Sequence, residues 1–290
     1  MKKELYVQIP AYRDTELSST LLDLFKKAAS PQKIRVSVVW QHARHEKLEP
    51  KVLNLPNLEL TAVPCEESLG CNWARRRLQR DWRGERYTLL LDSHHRFVRH
   101  WDVQLLGMFE ALRRDDVKRP IITAYLPAYD PDCEPHGRMR EVLKIYPLER
   151  ENGLLTKLTS HGVVFWKELT KPLPANFLSL HFLFAEGRFN EDVEADPEIY
   201  FFGDEVVTSL RAFTLGYDFF HPHRLLGWHL YDRKTRVPHW KDHQSSSEMA
   251  KRSIDKIRTI YDGTFCYDQR ATRVRSIKQY EARIQMPLIA

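Results

Sequence analysis

Apolar residues in the first third of the chain come in short runs separated by helical stripes. Leu5 to Ile9 is a strand-like run, which Pro10 is expected to break. Leu17, Leu21, Phe25 and Ala28 recur at helical spacing, with Asp14 as a candidate cap and Ser30-Pro31 as the stop. Ile34 to Trp40 is rich in β-branched residues, and Leu58-Leu60-Ala62 alternates as a second strand. Cys71 to Trp82 reads as a helix with arginines on its outer face, and Tyr87 to Leu91 as a buried strand ending in Asp92. Strands alternating with helices in this way predict an α/β fold, a Rossmann-type, mostly parallel sheet flanked by helices.

Further along, Trp101 to Arg114 reads as a helix and Ile121 to Tyr125 as a strand. Pro127 to Arg140 is a loop rich in Pro, Asp and Gly. His161 to Trp166 is strand-like, Glu186 to Pro197 an acidic solvated loop that includes Glu191, Asp192 and Glu194, and Glu198 to Phe213 helical. Tyr217 to Phe220 and Leu225 to Leu230 suggest closing strands. Ser245-Ser246-Ser247 reads as a cap or linker before Met249, Ile254, Ile257 and Tyr261 at helical spacing.

Composition adds an asymmetry. Of 290 residues, 45 are Lys or Arg and 39 Asp or Glu, a formal charge of +6. Twelve of the cations and six of the acids follow Arg233, so the first 233 residues are neutral with 33 of each. The expected organisation is a body over 1–243 and a basic, partly helical extension over 244–290. A hydrophobic share of 42% argues against a disordered chain. No apolar stretch approaches a membrane span, and the start shows no signal-peptide pattern. Four cysteines without Cys-x-x-Cys spacing fit a reducing compartment, so a cytoplasmic protein is expected.

In parallel sheets ligands bind at the carboxyl ends of the strands. Three polar clusters fall there: Tyr12-Arg13-Asp14, Gln41-His42 and Asp92-Ser93-His94-His95. Neither Gly-x-Gly-x-x-Gly nor a Walker loop occurs, which argues against a dinucleotide site or P-loop. Asp92 and His94, two apart on an extended chain, project to the same side and can share a divalent metal such as Mn²⁺. The alternative is a strand-end Asp capping the next helix, with His94 and His95 exposed.

Asp92-Ser93-His94 after an apolar strand resembles the metal motif of GT-A nucleotide-sugar glycosyltransferases, and in particular the mucin-type polypeptide N-acetylgalactosaminyltransferases. The closer resemblance is to the GlcNAc-transferases of glycosyltransferase family 60, which include the enzyme that modifies hydroxyproline on Skp1. The segments that carry it are Ile9-Pro10-Ala11-Tyr12-Arg13-Asp14, Asn72-Trp73-Ala74-Arg75, Leu91 to Phe97 with Trp101-Asp102, Gly203-Asp204-Glu205, Gly216-Tyr217-Asp218 and Trp228 to Arg233. They span roughly Leu5 to Arg233; the tail shows no such likeness.

The resemblance implies a GT-A-like fold and a retaining, metal-dependent transfer. It implies GlcNAc from UDP-GlcNAc as the sugar, and a hydroxyl on a protein, peptide or glycan as the acceptor. It implies Asp92, His94 and His229 as ligands of Mn²⁺ or Mg²⁺. Pro10, Ala11, Tyr12, Arg13, Asp14, Gln41, Asn72, Arg75, Asp92, Ser93, His94, Gly162 and Arg233 are the expected donor contacts. Tyr12 can stack on uracil, and Asp14 can accept from base or ribose or cap the helix. Arg233 either contacts a phosphate or makes a surface salt bridge. Asp204 and Glu205 either act on the acceptor hydroxyl or complement a helix dipole. Two rivals remain. One is a metal-dependent hydrolase using Asp92, His94, His95 and one of His221, His223 or His229. The other is nucleic-acid binding by Arg270, Arg273, Arg275, Lys278 and Arg283 near Tyr267 and Tyr280. No RNA-module motif accompanies that tail, whose charge can equally grip the body, a second copy or an anionic surface; no nucleic-acid partner is expected.

Overall fold

The apolar runs of the N-terminal third become parallel neighbours: β1 (Leu5–Tyr12), β2 (Ile34–His42), β3 (Leu58–Pro64) and β4 (Tyr87–Leu91). The computed structural model describes residues 3–267 and 272–290, and no helix among them is long and apolar enough to cross a membrane. The polar ends of β1, β2 and β4 point to one sheet edge. Helices α1 (Leu17–Lys27), α2 (Pro50–Leu53) and α3 (Cys71–Arg80) lie in the connections.

After β4 come the short β5 (His95–Phe97), α4 (Trp101–Arg114), β6 (Pro120–Thr123), a hairpin of β7 (Leu143–Glu151) and β8 (Leu154–Gly162), β9 (Leu173–Ala175) and β10 (Phe182–Glu186). Then follow α5 (Phe189–Asp192), α6 (Asp204–Thr214), β11 (Asp218–His221), β12 (Gly227–His229), α7 (His239–Asp242), α8 (Ser246–Tyr261) and α9 (Ile277–Ile284). The central sheet has eight strands in the order β3-β2-β1-β4-β10-β6-β11-β9. It is mostly parallel, with β10 and β9 running antiparallel to their neighbours. Alternation on β4 covers both faces. Leu89 and Leu91 join the cluster of Leu21 and Trp101, whereas Leu90 joins that of Leu210 and Ile257.

Several expectations are corrected. Pro10 does not end β1, which pairs with β2 through Tyr12; pairing with β4 stops at Gln8, and a missing N–H is tolerated on a one-sided stretch. Glu16, not Asp14, precedes α1, although an Asp14 oxygen accepts the Glu16 N–H. His161 to Trp166 is no strand: β8 ends at Gly162, and Val164 and Phe165 are about three-quarters exposed. The acidic loop after β10 holds a short helix whose Asp192 is buried against the Tyr217 hydroxyl and Arg119. Glu194 pairs with Arg76. The helix expected from Glu198 starts only at Asp204, after Gly203 at φ +88°, where a Cβ would come within 2.5 Å of Ile257.

Side chains beyond the expected division at 243 pack on the body. Ile254, Ile257, Ile260 and Tyr261 of α8, with Tyr280 and Ile284 of α9, are buried in the same core as α6 and β10. Two of the tail's cations turn inward: Arg275 pairs with Asp218 at 3.0 Å, and Arg283 donates to the Ala175 carbonyl. Arg270 lies outside the described residues. Ile257→Ala should therefore destabilise the whole domain by about 2–5 kcal/mol. Thermal unfolding would check this: a drop confined to the tail, with the sheet unaffected, is the contrary result.

Candidate active site

β4 ends the sheet's central run at Asp92, and the chain turns through Ser93 and His94 into β5. β5 pairs antiparallel with β12, placing His229 opposite His95. The Leu230 N–H donates to the His94 carbonyl at 3.1 Å. This ribbon brings a late histidine to the strand-end carboxylate. Ligand atoms of Asp92, His94 and His229 all lie within 4.8 Å of one another. Both histidines are buried, contrary to the capping alternative.

The protonation pattern follows from hydrogen bonds. Asp14 Oδ2 lies 2.7 Å from His94 Nδ1 and accepts the Ser93 hydroxyl at 2.6 Å. Burial works against the Asp14 charge, but the hydrogen bonds it receives from His94, Ser93 and the Glu16 N–H hold the carboxyl below its usual range. A proton on Nδ1 leaves the His94 Nε2 lone pair aimed at the site. Nε2 of His94 and both ring nitrogens of His229 are buried without a hydrogen-bond partner. The Nε2 atoms of His94 and His229 stand 3.7 and 3.5 Å from Asp92 Oδ2. Burial drives the protonation of His229 well below its ordinary value. Burial also opposes the Asp92 charge, yet His94 and Arg75 hold that carboxyl low. Two imidazole nitrogens and a carboxylate thus converge at distances too long for hydrogen bonds. That donor set suits a divalent cation of Mn²⁺ character.

Two cavities meet here. The smaller, about 160 Å³, is lined by Pro10, Tyr12, Gln41, Asp92, Ser93, His94 and Arg233, together with Tyr200, Arg236 and Trp240. The larger, about 760 Å³, contains Arg75, Asp92, Gly162, Asp204, Glu205, His229 and Arg233 in its wall. Ala11 is instead buried in the sheet core. Asp14 is sealed behind His94, with only 1% of its side chain exposed. Arg13 bridges Glu46 and Asp242. Asn72 donates to the Ile199 carbonyl and accepts from Arg75. None of these four lines either cavity. Tyr12 donates to Asp242 at 2.6 Å and packs against His239, so the segment carrying α7 covers its ring. Arg233 lies over the Trp240 ring at 4.7 Å and makes no salt bridge among the described residues.

Arg75, expected as a donor contact, is buried in the wall of the larger cavity and links the site's two halves. Its Nη1 donates to Asp204 at 2.9 Å, and its Nη2 is 3.6 Å from Asp92. Asp204 and Glu205 open α6 as the helix-dipole alternative requires, and they also line the larger cavity. Glu205 accepts the Leu180 N–H and the Tyr125 hydroxyl. Burial, then the neighbouring Asp204 charge, push Glu205 up to about 7. Arg236, Tyr200 and Trp240 escaped the sequence reading; only Arg236, one turn beyond Arg233, left a signal there.

A sheet of this order, with a strand-end carboxylate, its companion histidine and a late histidine at one edge, is the GT-A glycosyltransferase architecture. The chain belongs to the family described as Glycosyltransferase (GlcNAc), whose model matches residues 4–52 and 44–286. The match thus runs well past Arg233 into the tail. No curated protein matches by sequence. Among solved structures, that of GalNAc-T7 with UDP, GalNAc and Mn²⁺ is similar over 98% of this chain, with TM-score 0.61 and 12% identity. The chain spans 55% of that structure's length. S. aureus TarS 1–349 in complex with UDP-GlcNAc is similar over 98% of this chain and 70% of its own, with TM-score 0.57 and 13% identity.

Proposed function

We propose that this glycosyltransferase uses UDP-GlcNAc, with Mn²⁺ or Mg²⁺ held by Asp92, His94 and His229, and transfers the sugar with retention to a hydroxyl of a protein, peptide or glycan. The observation that carries the reading is the pair of buried, unpartnered imidazole nitrogens facing the Asp92 carboxylate. Support for the donor comes from the family, from UDP-GlcNAc in the TarS complex and from UDP with Mn²⁺ in the GalNAc-T7 structure.

A bound divalent ion would neutralise charge that develops on the nucleoside diphosphate as the bond to the sugar breaks. The chain's own residues do the rest. Tyr12, Pro10 and Gln41 offer a wall for the uridine, and Arg233 with Arg236 supplies positive charge at the mouth shared by both cavities. Asp14 orients His94 from behind and so acts on the site without touching the donor. The larger cavity takes the acceptor, whose hydroxyl Asp204 or Glu205 orients. The Skp1-type specificity is the particular form of this proposal. The test is turnover of a UDP-sugar panel with Mn²⁺, Mg²⁺ or chelator, followed by mass spectrometry of candidate acceptors. UDP-GlcNAc is expected to be preferred. Free sugar with no acceptor product under any condition would favour the hydrolase, and salt-sensitive oligonucleotide binding without donor binding the nucleic-acid reading.

Glu205 supplies a pH test. A carboxyl raised to about 7 keeps its proton in the folded state where the unfolded chain has lost it. Its contribution to stability is therefore complete below the ordinary glutamate range and is lost as pH rises through about 7. Glu205→Gln removes that dependence, so its thermal midpoint relative to the parent should be several degrees higher at pH 8 than at pH 5. An offset equal at both values would contradict the raised carboxyl.

A further inference from the structure

His94 and His229 are oriented by different means. His94 has the carboxylate of Asp14 behind it. His229 has no hydrogen bond at either ring nitrogen, so only packing fixes its plane. Its closest ring neighbour is His181, at 4.1 Å and 12° from parallel; Tyr231 meets it edge-on at 4.5 Å. The backbone of one residue holds both neighbours. The Leu126 N–H donates to His181 Nε2 at 3.2 Å, and the Leu126 carbonyl accepts the Tyr231 hydroxyl at 2.8 Å.

The sheet explains why His181 stands there. β10 runs antiparallel to β4 with Phe182 opposite Leu91, so the residue preceding β10 falls beside Asp92. An Nε2 that accepts carries no proton, so the ring proton sits on Nδ1 and the imidazole is neutral. A neutral ring can stack on His229 without repelling a cation held by that histidine. Tyr125 stacks on His181 at 5.0 Å and donates its hydroxyl to Glu205, so the stack also reaches the acceptor-side carboxylate.

We propose that His181, anchored by the Leu126 peptide, is a positioning residue that holds His229 in its metal-facing plane and ties it to the Tyr125–Glu205 pair. The proposal rests on the assignment of Asp92, His94 and His229 as metal ligands. Its stacked ring does for His229 what the Asp14 carboxylate does for His94. Residues that orient a metal ligand from outside typically alter metal affinity 10- to 100-fold, and a loss of about 10-fold is expected here.

The test measures Mn²⁺ dissociation constants by electron paramagnetic resonance, without donor, for the full chain and for His181→Ala, His181→Phe and Ile257→Ala. His181→Ala should weaken Mn²⁺ binding about 10-fold at a temperature where the protein is fully folded. His181→Phe, which keeps a stackable ring but loses the Leu126 anchor, should fall between it and the parent. Ile257→Ala, destabilising but outside the His181–His229 stack, should bind Mn²⁺ as the parent does. If the parent binds Mn²⁺ and both His181 variants match it, the positioning role is wrong and the ligand assignment stands. Equal weakening in Ile257→Ala would reduce the effect to general stability and overturn the role. A parent that binds no Mn²⁺ overturns the role and the ligand assignment together. Should the alanine variant fail to fold, the phenylalanine variant decides alone.

Discussion

Replacing His229 or Asp92 with alanine will reduce Mn²⁺-stimulated turnover of UDP-sugar by at least about 100-fold. Chelator will do the same to the parent, reversibly on adding Mn²⁺ back. Each substitution removes one of three donor atoms that now face a common point within 4.8 Å of one another. Asp92 also balances the Arg75 guanidinium, so its loss leaves two nitrogen ligands beside a positive charge paired only with Asp204. His229 contributes no hydrogen bond to the fold through its ring nitrogens, so His229→Ala should cost far more activity than stability. Circular dichroism and a thermal midpoint would verify that the variant remains folded. Turnover and Mn²⁺ dependence unchanged in both variants would sink the metal site and, with it, the proposed mechanism.

The legibility of this site in the sequence varied with how local its causes are. Asp92 and His94 were readable because a five-residue apolar strand runs directly into them and the period of an extended chain puts them on one side. His229 lies 135 positions beyond His94; nothing local marks it, and it was found through the family resemblance alone. His181 was invisible. It interrupts the apolar stretch Asn176 to Ala185, which by periodicity alone is ambiguous between strand and helix. Only the antiparallel pairing of β10 with β4 reveals that this polar residue adjoins Asp92. The fold class was legible from alternating runs, but the β7–β8 hairpin and the antiparallel strands β9 and β10 were not. The basic tail misled for a different reason. A charge count cannot show that Arg275 and Arg283 spend their charge on Asp218 and a backbone carbonyl, nor that α8 fills the core beneath Gly203.

Arg75 carries the second large expectation. Substituting methionine, which keeps much of the apolar stem, should destabilise the protein by about 3–5 kcal/mol at neutral pH, because it leaves Asp92 and Asp204 without their shared cation. Among the guanidinium's contacts are Asp204, Asn72 and the Leu180 carbonyl, and its second amino nitrogen approaches Asp92. The sign with pH follows. Burial already raises the Asp204 carboxyl, and Arg75 is the first influence that opposes it. Without the arginine that carboxyl rises further, so the variant recovers stability in acid, where the group is neutral, and loses it as pH increases. Thermal midpoints should accordingly differ little from the parent near pH 5 and greatly near pH 8. Adding Asp204→Asn removes one of the two stranded charges and should restore part of the loss at pH 8 while doing little at pH 5. A deficit independent of pH, with no rescue by Asp204→Asn, would mean that Arg75 acts through packing alone and that the donor and acceptor halves of the site are not coupled by its charge.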